Sequence, residues 1–162
     1  MNFRHITWEE ITSSVKYLAQ KIKQMPDFDK VDGIIGIERG GLIPAVMLSH
    51  ALNIPYTDFA TLDLYEENAM VPPTEDKYIV VDDIADSGDT LNSTWLSDKN
   101  ILCSLYLRTH TCLPEVKDRL IYAKEIDNDD WLVFPWEIDD KVVDFSLEDW
   151  VWLVSPKIDK KL

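Results

Sequence analysis

"VVDDIADSGDT", residues 80 to 90, decides how the chain is read. Ile79, Val80, Val81 and Ile84 frame two adjacent carboxylates, Asp82 and Asp83, and Asp86, Ser87, Gly88, Asp89 and Thr90 follow at once. The apolar run predicts a buried strand ending on the acid pair. The small and hydroxylated residues predict a turn into a helix over 88–98. A turn of that kind presents several free backbone N–H groups, which bind phosphate. Asp82 and Asp83 only accept hydrogen bonds when ionised, so they suit sugar hydroxyls or a hydrated magnesium ion. A ribose phosphate satisfies both halves of the stretch.

The flanking sequence predicts α/β architecture. "DGIIGI" (32–37), "KYIVVDDI" (77–84) and "ILCSLYLRT" (101–109) are short and built on continuous apolar runs, as strands of a parallel sheet covered on both faces are. Between them, Thr7 with Glu10 forms a capping-box pattern opening a helix through Lys23, with Ile11, Val15, Leu18 and Ile22 at helical spacing. "LIPAVMLSHALN" reads as a second helix stopped near Asn53. "PYTDFATLDLY" (55–65) alternates as a strand does, "EENAMVPPTED" (66–76) reads as a polar loop, and the tail "SPKIDKKL" as a fraying end. In an open α/β sheet, ligands bind outside the carboxyl ends of the strands. "IERGG", "DDIADSGDT" and "LRTHT" all stand at such ends. Paired acids after a strand also occur in receiver-type domains, but the Ser-Gly-x-Thr that follows sets this stretch apart.

Composition bounds the rest. A chain of 162 residues is most simply one domain, 1–162, and its hydrophobic fraction of 46% supports a packed core. The net charge of −14 disfavours a nucleic-acid partner, which needs a basic face. The two cysteines, Cys103 and Cys112, make neither a disulfide framework nor a CxxC zinc motif. No apolar run approaches the ~20 residues that span a bilayer, and "MNFRHITWEE" lacks a signal peptide's apolar core. The expected compartment is the cytoplasm.

"VVDDIADSGDTL" resembles the phosphoribosyl pyrophosphate (PRPP) signature of the type I phosphoribosyltransferases, and "IGIERGGLIPA" resembles the pyrophosphate loop of the same family. "ITWEEI" and "DWLVFPWE" resemble segments of bacterial xanthine-guanine phosphoribosyltransferases. The resemblance runs from about residue 6 to about residue 137. It implies a central parallel sheet flanked by helices, with a small hood from the N-terminal region and about residues 125–150. It implies Mg²⁺-dependent transfer of phosphoribose from PRPP to a 6-oxopurine base, in a homo-oligomer (dimer or tetramer).

Carried over by position, the resemblance implies a role for each matching residue. Asp82 and Asp83 hold the ribose hydroxyls, with Asp83 near magnesium. Ala85 belongs to the same PRPP-binding stretch. Asp86 meets the purine N7 edge as acid/base or hydrogen-bond partner, and Ser87, Gly88, Asp89 and Thr90 wrap the 5′-phosphate, mainly by backbone. Glu38, Arg39, Gly40 and Gly41 form the pyrophosphate loop, with Arg39 among the catalytic groups. Arg108 stands where the family has a lysine that contacts the 6-oxo group, and Trp131 and Leu132 line the base pocket.

The chain departs from the family pattern at Glu38, where a small residue is usual, at Asp89 and at Arg108. It departs again at Leu64-Tyr65, where a Ser-Tyr pair opens the loop that closes over the reaction. The altered loop residues favour a second reading, a PRPP- or nucleotide-binding regulator with weak turnover; a third, an enzyme of the same fold acting on orotate, uracil or adenine, is opposed by the segment from Trp131 to Glu137.

Overall fold

A computed structural model describes residues 2–54, 59–62, 75–92 and 96–137. Strand β1 (Phe3–His5) precedes helix α1 (Trp8–Lys23), which begins at the predicted box. The Thr7 hydroxyl accepts from the Glu10 N–H at 3.2 Å, and Glu10 Oε2 accepts from the Thr7 N–H at 3.1 Å. Ile11, Val15, Leu18 and Ile22 recur on one face and are buried. Full burial of such a side chain stabilises by about 1.5–3 kcal/mol, so Leu18→Ala, which also opens a cavity, costs about 2–5 kcal/mol. Gln24 caps the helix, and Pro26 stands just beyond it.

Five parallel strands follow in the order β3-β2-β4-β5-β6: β2 (Gly33–Ile37), β3 (Phe59–Leu62), β4 (Tyr78–Ala85), β5 (Ile101–Arg108) and β6 (Leu120–Ile126). All their carboxyl ends therefore open on one rim. Helix α2 (Leu42–Leu52) joins β2 to β3 and ends at Asn53, whose φ of 59° is a left-handed conformation asparagine tolerates. Gly36 allows α2 to lie close to β2, since a Cβ there would stand 3.1 Å from both Ala45 Cβ and Gly41 O.

Helices α1 and α2 share one apolar layer with Ile34, Ile79, Val81, Ile101, Cys103 and Leu105. Ile35, Ile37, Val80, Leu102 and Leu107 form a second, smaller layer under Leu91, Cys112 and Val116. Helical cover is thinner on that second side than the sequence predicts. Within the expected helix 88–98, residues 89–92 form one turn, in which the Asn92 N–H donates to Gly88 O at 2.8 Å, 96–98 are turn and bend, and 93–95 lie outside the described residues. Gly88 (φ 87°) directs the chain through the turn, and Asn92 and Ser97 prefer turns to helix interiors. The short α3 (Pro114–Lys117) completes this side.

The sequence did not signal β1, a three-residue strand that pairs in parallel with β7 (Trp131–Val133), Phe3 opposite Trp131. The predicted strand 55–65 is observed as β3. Its remaining residues lie outside the described set, as do Leu64-Tyr65, most of the 66–76 loop, residues 138–150 of the expected hood, and the tail.

Candidate active site

Strand β4 runs past Asp82 and Asp83 to Ala85, one residue beyond the expected stretch 77–84. The acid pair breaks its ladder locally. The Asp83 N–H donates to Asp82 Oδ1 at 2.9 Å, and the Ile84 N–H donates to Asp83 Oδ1 at 2.7 Å. At the same level of β5, the consecutive residues Leu105 and Tyr106 both join the helix-covered layer, so the alternation slips by one residue there.

Burial holds Asp82 well above the ordinary carboxylate range, and the neighbouring Asp83 charge adds to the effect. Burial also raises Asp83, to about 6; its bond from the Ile84 N–H opposes the rise and the Glu137 charge assists it. Neither carboxylate has a cation partner among the described residues, which suits an incoming divalent ion.

The loop 38–41 lies against this pair. A Cβ on Gly40 would stand 2.1 Å from Asp83 Oδ2, and one on Gly41 would stand 2.2 Å from Val81 O. The two glycines thus let the loop backbone rest on β4. The loop is closed by the Gly41 N–H to Ile37 O (2.9 Å) and the Leu42 N–H to Arg39 O (3.3 Å), and its Glu38–Arg39 peptide is cis. Arg39 is exposed and Glu38 half-buried.

In the turn after β4, the Ser87 hydroxyl donates to Asp89 Oδ2 at 2.8 Å and accepts from the Asp89 N–H at 3.2 Å. Two of the groups expected to meet phosphate therefore bond each other. Gly88 is buried against Cys112 and Val116, with a Cβ on it 3.1 Å from Cys112 Sγ. Thr90 is half-buried at the turn's end.

Arg108 closes β5 with its side chain 7% exposed. Its Nε lies 3.0 Å from Asp86 Oδ1, Nη1 donates to Asn128 O, and Nη2 donates to Asp130 O at 3.1 Å. The Thr111 hydroxyl also donates to Asp86 Oδ1, at 2.7 Å. Trp131 is 53% exposed, while the Leu132 side chain is buried in the main core, so at Leu132 the backbone is the part available to a ligand.

The strand ends thus bring the acid pair, the loop 38–41, the turn 86–90 and Arg108 to one rim, while Trp131 and Leu132 stand on the β1–β7 pair. Three further groups join them. Glu137 acts on Asp83, and its Oε2 accepts from the Phe134 N–H at 2.8 Å. Thr111 and the carbonyls of Asn128 and Asp130 hold Asp86 and Arg108. Thr111, in "LRTHT", and Glu137, the last residue of "DWLVFPWE", had a sequence signal; the backbone carbonyls of Asn128 and Asp130 had none.

A metal test can be put to the acids. No group of three or more His, Cys, Asp or Glu among the described residues could hold a metal ion. Two adjacent, buried carboxylates do fit Mg²⁺, which keeps several waters and binds through one or two carboxylates together with substrate phosphates.

The phosphoribosyl transferase domain family matches residues 7–150. The xanthine-guanine phosphoribosyltransferase of Cereibacter sphaeroides is 30% identical over 152 residues, 83% of this chain and 86% of that protein. Its counterpart in Idiomarina loihiensis is 30% identical over 156 residues, 82% of this chain and 86% of that protein. Among solved structures, the purine phosphoribosyltransferase from Pyrococcus horikoshii aligns with a TM-score of 0.62 at 28% identity, over 86% of this chain and 96% of that one. The Helicobacter pylori xanthine-guanine-hypoxanthine enzyme shares the fold, with a TM-score of 0.64 at 20% identity, over 87% and 97%. Among the described residues, no helix is long and apolar enough to cross a membrane.

Proposed function

The chain belongs to the phosphoribosyltransferase family and is an enzyme of that kind; from that premise we propose that it transfers phosphoribose from PRPP to a 6-oxopurine, with Mg²⁺. The observation that carries this reading is the contact of Gly40 with Asp83, which sets a loop able to bind pyrophosphate against carboxylates able to bind ribose hydroxyls. A bond from a purine nitrogen to C1 of the ribose forms as the C1–O bond to pyrophosphate breaks. Positive charge gathers on the sugar and negative charge on the leaving group. Arg39 and the N–H groups of the 38–41 loop suit the leaving group. Asp83, with Asp82 beside it, would hold Mg²⁺, which when bound offsets the pyrophosphate charge. Asp86 suits control of the purine proton at the N7 edge. Trp131 and the Leu132 backbone stand where the resemblance puts the base.

A second reading, a PRPP- or nucleotide-binding protein with weak turnover, is favoured by one observation: Asp89 occupies the Ser87 hydroxyl within the phosphate turn. One assay separates the two. PRPP and Mg²⁺ are supplied with guanine, xanthine, hypoxanthine, adenine or uracil, and nucleotide formation is followed. The 6-oxopurines are expected to react. PRPP binding with no product from any base would favour the second reading.

A further inference from the structure

Arg108 stands where a base-contacting residue is expected, yet all its guanidinium nitrogens are engaged by the protein. We propose that Arg108 is a positioning residue: it fixes the Asp86 carboxylate and ties it to the 128–130 loop that leads into Trp131. The proposal rests on the purine-transfer reading of this site and departs from a direct Arg108–base contact.

The geometry supplies the reasoning. Nε is 3.0 Å from Asp86 Oδ1, Nη1 and Nη2 donate to the carbonyls of Asn128 and Asp130, and the side chain is 7% exposed. Arginine is the residue that can do this, because its donors form a rigid planar fork with no acceptor. A fork held on three sides does not swing to a ligand without giving up both loop carbonyls and its ion pair with Asp86. Thr111 donates to the same Oδ1 at 2.7 Å, so one carboxylate oxygen is held twice. Among the described residues no hydrogen bond reaches Oδ2. Asp86 is thereby anchored through one oxygen and can present the other, while its own side chain remains half open to solvent at 54% exposure. The same fork sets the loop 128–130 against the end of β4, so the PRPP-binding stretch and the base-binding strand are joined through one side chain.

Lysine, the family's residue at this position, makes the test sharp. A single ammonium on a flexible stem reproduces a point contact to a base oxygen but not a three-way planar fork. Arg108→Lys and Arg108→Leu are compared with wild type, using hypoxanthine as substrate and adenine as substrate and competing ligand. If Arg108 positions Asp86, kcat in Arg108→Lys falls about tenfold or more, as misplacement of a reacting group does. The KM for hypoxanthine then moves much less than kcat, and the preference for hypoxanthine over adenine is unchanged in both variants. Near-wild-type kcat in Arg108→Lys overturns the proposal, and so does a preference that narrows toward adenine in Arg108→Leu.

A readout independent of turnover accompanies it. Thermal unfolding of Arg108→Lys, Asp86→Asn and the double variant forms a cycle. Tethered residues give a double variant whose loss in Tm is smaller than the sum of the single losses. Additive losses overturn the tether. A wild type that converts no base at all counts against the purine reading, and the unfolding cycle still decides the tether.

Discussion

Gly40 lies so close to Asp83 that a Cβ on it would stand 2.1 Å from Oδ2 and 2.4 Å from Cγ. Asp83 cannot simply turn away, because its Oδ1 accepts the Ile84 N–H at 2.7 Å. The φ of Gly40 is not in the left-handed region, which among the described glycines only Gly88 occupies, so its requirement is one of space. Gly40→Val should therefore displace either the loop or the carboxylate and abolish turnover. Gly40→Ala should lose most PRPP affinity at a stability cost of about 1–3 kcal/mol, the usual range for overpacking. Steady-state kinetics and calorimetric PRPP titration check both. Wild-type rates in Gly40→Val would reduce the Arg-Gly-Gly turn to a connector.

Asp83 should set a pH dependence of stability in the ligand-free protein. Burial raises its folded pKa from the ordinary 3.8 to about 6. Between those values the folded state binds more protons than the unfolded state, so stability falls as pH rises through about 4 to 6. Asp83→Asn keeps an acceptor for the Ile84 N–H and removes the charge. The variant should match wild type near pH 4, exceed it in Tm at pH 7–8, and show a flatter profile between. It should also weaken Mg-PRPP binding, because the carboxylate that burdens the empty site is the one proposed to serve the ligand. Scanning calorimetry at several pH values and titration at pH 7.5 test the two halves. Unchanged PRPP affinity would remove Asp83 from the site.

The legibility of this fold in its sequence followed the physics of each segment. Helix α1 was readable to its cap because Thr7, Glu10 and the apolar residues at helical spacing all act locally. Strands β2, β4 and β5 were readable as buried because each carries an unbroken apolar run, but in β5 that uniformity hid the slip in facing between Leu105 and Tyr106. Of the helix expected over 88–98, the described residues form one turn at 89–92 after Gly88, whose φ is 87°, and 93–95 lie outside the described set. β1 went unseen because a three-residue strand is set by its partner β7, more than a hundred residues away, not by its own composition. The motifs located Arg108 and Asp86, but the contacts of Arg108 with Asn128 and Asp130 are made by backbone carbonyls, which leave no trace in residue identity.

Asp89 should weaken phosphate binding through its side chain even where its backbone assists. Its Oδ2 holds the Ser87 hydroxyl at 2.8 Å, placing a carboxylate within the turn expected to wrap the 5′-phosphate. An incoming phosphate must displace that bond and approach the like charge. Asp89→Ala keeps the backbone N–H, releases the hydroxyl and removes the repulsion. PRPP affinity should rise about 3- to 10-fold, the value of one net hydrogen bond, with a larger gain at low salt than at high salt. Titrations at two salt concentrations measure this. A weaker PRPP complex in Asp89→Ala would mean that the carboxylate orders the turn, not that it competes with the ligand.

Glu137 reaches the acid pair from the chain beyond β7. Burial is the main reason for the high pKa of Asp83, and the Glu137 charge adds to it against the opposing Ile84 hydrogen bond. Its Oε2 accepts from the Phe134 N–H at 2.8 Å, which Glu137→Gln can preserve through the amide oxygen. The substitution therefore removes charge while keeping the local fold. With that like charge gone, Asp83 should ionise at lower pH. If ionised Asp83 is what receives Mg-PRPP, binding should persist to lower pH in Glu137→Gln than in wild type, the midpoint moving down, while affinity well above the midpoint changes little. Calorimetric titration from pH 5 to 8 reads the midpoint directly. A midpoint that stays fixed would separate Glu137 from the ligand-binding carboxylates. A shift that persists in the Asp83→Asn background would assign the titrating group to Asp82.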